Sequence, residues 1–310
     1  MTGIGNTPII QLRHLPGPDD AEVWVKWEGA NPTGSMKDRM ALSMILGAER
    51  SGRLEPGGTV VDYTGGSTGG SIAMVCAVRG YKSHFVSSDA FAKSKLQTMR
   101  VFGATVDVIP CVNGQITPEL FDRCFERVHE LVKLPGYFWT DQFNNPDNRS
   151  AYHDMAKEVK DALDGRLDEF VQAVGTAGSF SGNAEYLKEH VPGIRCFPVE
   201  PEKAQVLAGK PVTSGHRLEG MGSGIIPGIC RLDLADGTIP VSDEDAMKTA
   251  RLLASKEGIF GGTSSGANVF AALQRAKEIG RGKRVVTIIC DSGLKYLEGD
   301  LYARLYARGA

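Results

Sequence analysis

The sequence predicts an α/β protein of two lobes, each a mostly parallel twisted sheet covered by helices. Three observations carry that prediction. A chain of 310 residues exceeds what one hydrophobic core usually serves, so it should split into two packed bodies. Short β-branched or aromatic runs alternate with longer segments whose apolar residues recur at helical spacing. The 38 glycines gather in a few short loops that follow the predicted strands, where α/β proteins bind ligands.

The strand runs are EVWVKWE (22–28), TVVDYT (59–64), HFVSSD (84–89), TVDVIP (105–110), FVQAVG (170–175), IRCFPVEP (194–201) and RVVTIIC (284–290). Helical periodicity occupies 38–50, 69–79, 93–102, 179–190, 243–257 and 266–279. Strand and helix repeated in this way imply parallel sheets buried on both faces. Right-handed crossovers then place the connecting loops at the C-terminal strand ends. The two series break at GYFWTDQFNNPDN (136–148), a turn-rich stretch containing Pro146 that reads as the lobe boundary.

Composition narrows the function. The chain is 42% hydrophobic and 23% charged with a formal net charge of -2, so no basic excess points to nucleic acid or an anionic membrane. The opening MTGIGNTPIIQL lacks a charged region followed by an apolar core, and no apolar run approaches the roughly 20 residues of a membrane span. A cytoplasmic protein is expected. Six cysteines without a C-x-x-C pair fit reduced, mostly buried thiols better than a disulfide or zinc framework, and no metal site is expected.

Four loops hold the candidate chemistry. In GANPTGSMKDRMALSMIL (29–46), Pro32 and Gly34 forbid a regular helix before Ser35, which puts Lys37 in the first turn of a helix. The positive helix end and nearby Arg39 would lower the pKa of that amine, as a Schiff-base lysine requires; a solvated surface lysine is the bland alternative. TGGSTGGS (64–71) offers backbone N–H groups and the hydroxyls of Thr64, Ser67, Thr68 and Ser71 to an anion at a helix start. A tight turn with an ordinary N-cap explains it equally well. GTAGSFSG (175–182) fits a dinucleotide G-x-G-x-x-G poorly, has no acidic ribose hook, and lacks the Lys-Ser/Thr of a P-loop. A cradle for one phosphate remains, with Thr176 and Ser179 as hydroxyl donors. In GIFGGTSSGAN (258–268), Ser264 and Ser265 by themselves read as N-caps of the next helix.

Taken together, IGNTPII (4–10), NPTGSMKDR (31–39), TGGSTGG (64–70), GTAGSFSG (175–182), GMGSGIIPG (220–228), GGTSSGAN (261–268) and DSGLKYL (291–297) stand in the order typical of one family. Over nearly its whole length the chain resembles the cysteine synthase and cystathionine β-synthase family of fold type II pyridoxal-phosphate enzymes. The resemblance implies a smaller N-terminal lobe over 37–145 and a larger cofactor-binding lobe formed by 1–36 and 146–310. It implies that Lys37 carries pyridoxal 5'-phosphate and that Gly175, Thr176, Ala177, Gly178 and Ser179 hold the phosphate, with alanine where the family has a third glycine. Ser264 would face the pyridine nitrogen. A hydroxyl there has far too high a pKa to keep that nitrogen protonated, which favours β-elimination chemistry over transamination or racemisation.

The resemblance further implies that Ser67 approaches the cofactor's phenolic oxygen and that Thr64, Gly66, Thr68 and Gln142 grip the substrate carboxylate. Two residues depart from the family's T-S-G-N-T-G in that loop: Gly65 replaces serine and Ser67 replaces asparagine. Tyr152 stands where the family has histidine. The implied activity is β-replacement on a small β-substituted L-amino acid, such as O-acetylserine with sulfide or another small nucleophile, by a homodimer. β-Elimination from cysteine or serine is the enzymatic alternative, and a silent pyridoxal-phosphate-binding regulator is the non-enzyme one.

Overall fold

The computed structural model describes residues 1–112 and 118–306. Chain order is β1 (Ile9–Gln11), β2 (Glu22–Trp27), α1 (Lys37–Arg50), β3 (Thr59–Tyr63), α2 (Ser67–Arg79), β4 (Lys82–Ser88), α3 (Lys93–Val101), β5 (Thr105–Ile109), α4 (Pro118–Leu131), β6 (Tyr137–Trp139) and α5 (Pro146–Ser150). It continues with α6 (His153–Ala162), β7 (Glu169–Ala173), α7 (Gly178–His190), β8 (Arg195–Pro201), β9 (Ile239–Val241), α8 (Asp243–Leu252), α9 (Thr263–Ile279), β10 (Arg284–Ile289) and α10 (Asp300–Tyr306). The chain divides into two compact units, Met1–Met36 with Arg149–Ala310, and Lys37–Asn148.

The first unit is built on a sheet of order β1-β2-β10-β7-β8-β9. All its pairings are parallel except the antiparallel edge pair of β1 with β2. Its central strands are apolar and fully covered: Val285, Val286, Ile288 and Ile289 of β10 and Phe170 and Val171 of β7 are buried. That is what helices on both faces demand of a parallel strand. The one charge in β7, Glu169, is fully buried and receives a two-pronged bond from Arg275 (2.8 and 2.7 Å) as well as one from Arg195, which satisfies the carboxylate where water cannot.

The second unit carries a parallel sheet of order β5-β4-β3-β6. Here the turn-rich stretch 136–148 differs from expectation, because it contains β6 paired with β3. Tyr137 and Trp139 pack against a core that includes Val61, Tyr63 and Val86, so aromatic burial holds three residues extended between two turns. The predicted helix over 243–257 is also modified: α8 ends at Leu252 and a π-helical turn follows over Leu253–Glu257, closed by Gly258 at φ 69°.

Candidate functional site

In each unit the candidate residues gather where the strand order reverses. In the first, the chain runs from β7 to β8 on one side and returns as β10 on the other, which is the topological switch point at which open α/β sheets bind ligands. The β7–β10 ladder registers only Val285 with Glu169 and Val286 with Phe170. Beyond it side chains replace the missing backbone partners. Thr287 Oγ1 donates to the Val171 carbonyl (2.7 Å). The Asn268 amide accepts from Ala173 N–H and donates to the Ile288 carbonyl (2.7 Å). Asn268 is completely buried and bridges the two strands just below the loops that follow them.

The loop after β7 is Gly175–Ser179. A methyl group on Gly175 would lie 2.5 Å from the Gly220 carbonyl oxygen, so only glycine lets the two backbones approach. Ala177, the N-cap of α7, has φ 66° and ψ -13° and gives no side-chain cap. Its left-handed backbone explains why glycine suits this position, and alanine bears a steric cost there. The first N–H groups of α7 are thus left to whatever the loop binds. Beneath them, buried Gln172 and Asn183 direct their amide N–H groups at Ser179 Oγ (2.5 and 3.4 Å). With its lone pairs occupied, the Ser179 hydroxyl retains its own proton for an acceptor in the loop. These features fit a phosphate group.

The loop before α9 is tied to the end of β10. Ser265 Oγ accepts from Cys290 N–H (3.0 Å), Gly261 bridges Ser292, and Tyr302 donates its hydroxyl to the Gly261 carbonyl (2.6 Å). The N-cap of α9 is Gly262, without a side-chain cap, so neither Ser264 nor Ser265 is the cap expected from the isolated motif. Ser264 lies in the first turn, is 5% exposed, and its hydroxyl has no hydrogen-bond partner among the described residues. By contrast α8 starts with a conventional cap, Ser242 Oγ accepting from Asp245 N–H (3.0 Å). The same β10 end holds the segment that leads to Lys37. Ser35 bridges Asp291, Met36 N–H donates to the Cys290 carbonyl (2.9 Å) and Ser292 N–H donates to the Gly34 carbonyl (2.9 Å). Tyr152, fully buried, donates its hydroxyl to the Met36 carbonyl (3.3 Å). Lys37 follows as the half-buried first residue of α1.

In the second unit the reversal lies at β3, which has β4 on one side and β6 on the other. Thr64, Gly66, Ser67 and Thr68 follow β3, and Gln142 follows β6. Thr64 Oγ1 accepts from Gly66 N–H (3.0 Å) and Gly69 N–H (3.1 Å), folding the loop back on itself. Gly66 has φ 140° and is the N-cap of α2 without a side-chain cap. The Gln142 side chain accepts from Thr68 Oγ1 (2.9 Å) and donates to the Tyr63 carbonyl (2.8 Å), so it locks the loop. The Ser67 hydroxyl is half-buried and has no partner among the described residues.

Sequence reasoning missed Asp62. Its carboxylate is buried and accepts from Tyr63 N–H (2.8 Å) and Trp139 Nε1 (3.1 Å) at one oxygen, and from the Thr140 hydroxyl and Gln142 N–H (3.3 Å) at the other. Burial pushes its pKa up to about 7, against the lowering effect of those donors. Asp62, Gln172 and Asn268 share one available signal: each is a polar residue flanked on both sides by apolar ones, Val61 and Tyr63, Val171 and Ala173, and Ala267 and Val269. All six cysteines are thiols, and burial raises those of Cys76 and Cys196 to about 12. Among the described residues no helix is long and apolar enough to cross a membrane, and no group of three or more His, Cys, Asp or Glu could hold a metal ion.

Comparison with known proteins shows which family the chain is similar to. Cysteine synthase of Staphylococcus aureus strain Mu50 is 38% identical over 302 residues, spanning 97% of this chain and 95% of its own. Among solved structures, cysteine synthase of Entamoeba histolytica superposes with a TM-score of 0.90 at 35% identity, covering 97% of this chain and 89% of that one. O-ureido-L-serine synthase superposes at 0.91 and 33% identity, covering 99% and 98%. The profile of a family described as pyridoxal-phosphate dependent enzyme matches residues 1–291. The chain belongs to the pyridoxal-phosphate dependent enzyme family, and to its fold type II, cysteine synthase-like branch.

Proposed function

We propose that the protein catalyses β-replacement on a small β-substituted L-amino acid, as in forming cysteine from O-acetylserine and sulfide. The observation that carries this reading is the segment 34–36, which leads into Lys37 and is fastened to the same β10 end that holds the loop before α9 through Gly261 and Ser265. Lys37 Nζ would hold the cofactor, with Gly175 to Ser179 around its phosphate, Ser264 at its ring nitrogen and Ser67 at its phenolic oxygen. Bound pyridoxal phosphate supplies an electron sink that makes the substrate Cα proton acidic. Lys37 Nζ, which would hold the cofactor, would also be the base that takes that proton. Thr64, Gly66, Thr68 and Gln142 would orient the substrate carboxylate, and Ser264 would offer the ring nitrogen a neutral hydroxyl, a partner that suits loss of the β-substituent better than transamination or racemisation.

A homodimer acting in the cytoplasm belongs to the same reading, supported by the family resemblance. Sedimentation of the purified protein tests the dimer. The activity is tested by supplying O-acetyl-L-serine and sulfide and following cysteine, with Lys37→Ala as the control. That variant should fold, retain no covalently bound cofactor absorbance and make no product. A Lys37→Ala protein that keeps the wild-type visible band would refute the lysine's role.

A further inference from the structure

We propose that Phe91 is a specificity-determining residue, an aromatic wall beside the Thr64–Thr68 loop that favours substrates with an uncharged β-substituent. The inference rests on the amino-acid reading of that loop and adds what it selects. It starts from the two adjacent glycines, which are glycine for different reasons. Gly66 needs its backbone, because φ is 140°, and the Lys95 stem lies 2.5 Å from where a Cβ would sit. Gly65 does not have a positive φ, and other residues could adopt its backbone. What excludes a side chain at 65 is space: its Cβ would lie 2.9 Å from Phe91 Cε1 and 3.3 Å from Cδ1 and Cζ.

That ring is held rather than loose. Its backbone N–H closes a turn onto the Ser88 carbonyl (3.2 Å), and the ring packs tilted against Tyr63 with centroids 6.5 Å apart. Tyr63 is itself wedged by Phe121 (5.4 Å) and Phe125 (5.3 Å). A fixed aromatic cannot yield to a new side chain cheaply. Gly65 and Phe91 are therefore one coupled feature in which an apolar ring occupies the volume a polar side chain at 65 would use. Such a wall offers no hydrogen-bond donor to a charged or strongly hydrated β-substituent and desolvates it without return.

The test compares wild type, Phe91→Ala, Gly65→Ser and the double variant on O-acetyl-L-serine and on O-phospho-L-serine. Steady-state kinetics are read together with the shift of the cofactor's visible spectrum on binding each amino acid. Wild type should prefer the uncharged ester by kcat/KM. Phe91→Ala should narrow that preference at least tenfold, mainly through KM. Gly65→Ser should weaken amino-acid binding about tenfold with Phe91 in place, and adding Phe91→Ala should restore most of the loss and most of any fall in melting temperature. Unchanged preference in Phe91→Ala, or additive effects in the double variant, overturns the proposal while leaving the activity intact. Absence of both turnover and spectral response in wild type with either amino acid overturns the proposal together with the reading it rests on.

Discussion

Replacing Asp62 by asparagine removes a titrating group without changing its size, and the structure fixes what should follow. Two donors meet each carboxylate oxygen: Tyr63 N–H and Trp139 Nε1 on Oδ1, the Thr140 hydroxyl and Gln142 N–H on Oδ2. Asparagine presents one acceptor and one NH2. Its least costly orientation puts the NH2 toward Thr140, whose hydroxyl can turn to accept, and leaves Gln142 N–H unpaired at about 1–3 kcal/mol. Against that stands the buried charge. The folded pKa is raised from 3.8 to about 7, so the native state holds a proton that the unfolded chain has released. This contribution is fully present below about pH 3.8 and is lost as pH rises through 7. At ~1.4 kcal/mol per unit the window is worth roughly 4 kcal/mol. Urea unfolding at a series of pH values from 4 to 8 should show wild type losing stability relative to Asp62→Asn. The variant should be the weaker protein at low pH and should draw level or pass wild type above 7. Parallel profiles for the two proteins would show that Asp62 does not titrate in this range. Because Gln142 loses its backbone anchor, the variant should also bind amino acids more weakly at every pH.

Ala177→Gly relieves a left-handed alanine worth roughly 1–2 kcal/mol of strain, offset by about 0.5–1 kcal/mol of added chain entropy. A small gain in melting temperature with cofactor affinity unchanged is expected, and a clear loss in either would show that the methyl group packs usefully. Ser264→Asp should place a carboxylate at the ring nitrogen, lengthen the life of the carbanion, and divert product toward transamination or racemisation. Identical spectra and product ratios would show that Ser264 is not the ring-nitrogen partner.

Much of the architecture was legible because β2, β3, β4, β5, β7, β8 and β10 each coincide with a short run that carries β-branched or aromatic residues. The three-residue strands β1, β6 and β9 were not, since three extended residues carry no periodicity and β6 is extended by aromatic packing between turn signals. At the candidate site, the glycine and hydroxyl content of the loops pointed to an anion or to ordinary caps without deciding between them. Backbone geometry invisible in a motif speaks against ordinary caps: Gly66, Ala177 and Gly262 sit at the N-caps of α2, α7 and α9 and give no side-chain bond, whereas Ser242 caps α8 normally. The hydroxyls of Ser67, Ser179 and Ser264 lie inside the first turns, where capping is not their task.

The departures from the family pattern become interpretable at the same level. Gly65 reads in one dimension as a lost serine, yet its volume is taken by a residue 26 positions later, and only tertiary packing couples the two. Tyr152 reads as a lost histidine, and its hydroxyl fastens the carbonyl of the residue before Lys37. The changes at 65 and 152 therefore each go with a definite contact, the Phe91 ring beside Gly65 and the Tyr152 hydroxyl on Met36, so neither is free to drift alone. Both switch points follow a single rule as well: parallel strands that diverge leave backbone groups unpaired, and buried polar side chains take them up. Asn268 does this between β7 and β10. Asp62 gathers the N–H groups and hydroxyl where β3 meets the chain leaving β6. A substitution of Asn268 by leucine should accordingly disturb the Gly175–Ser179 loop before it disturbs the core, because the groups it would orphan, Ala173 N–H and the Ile288 carbonyl, lie at the strand ends that carry the site.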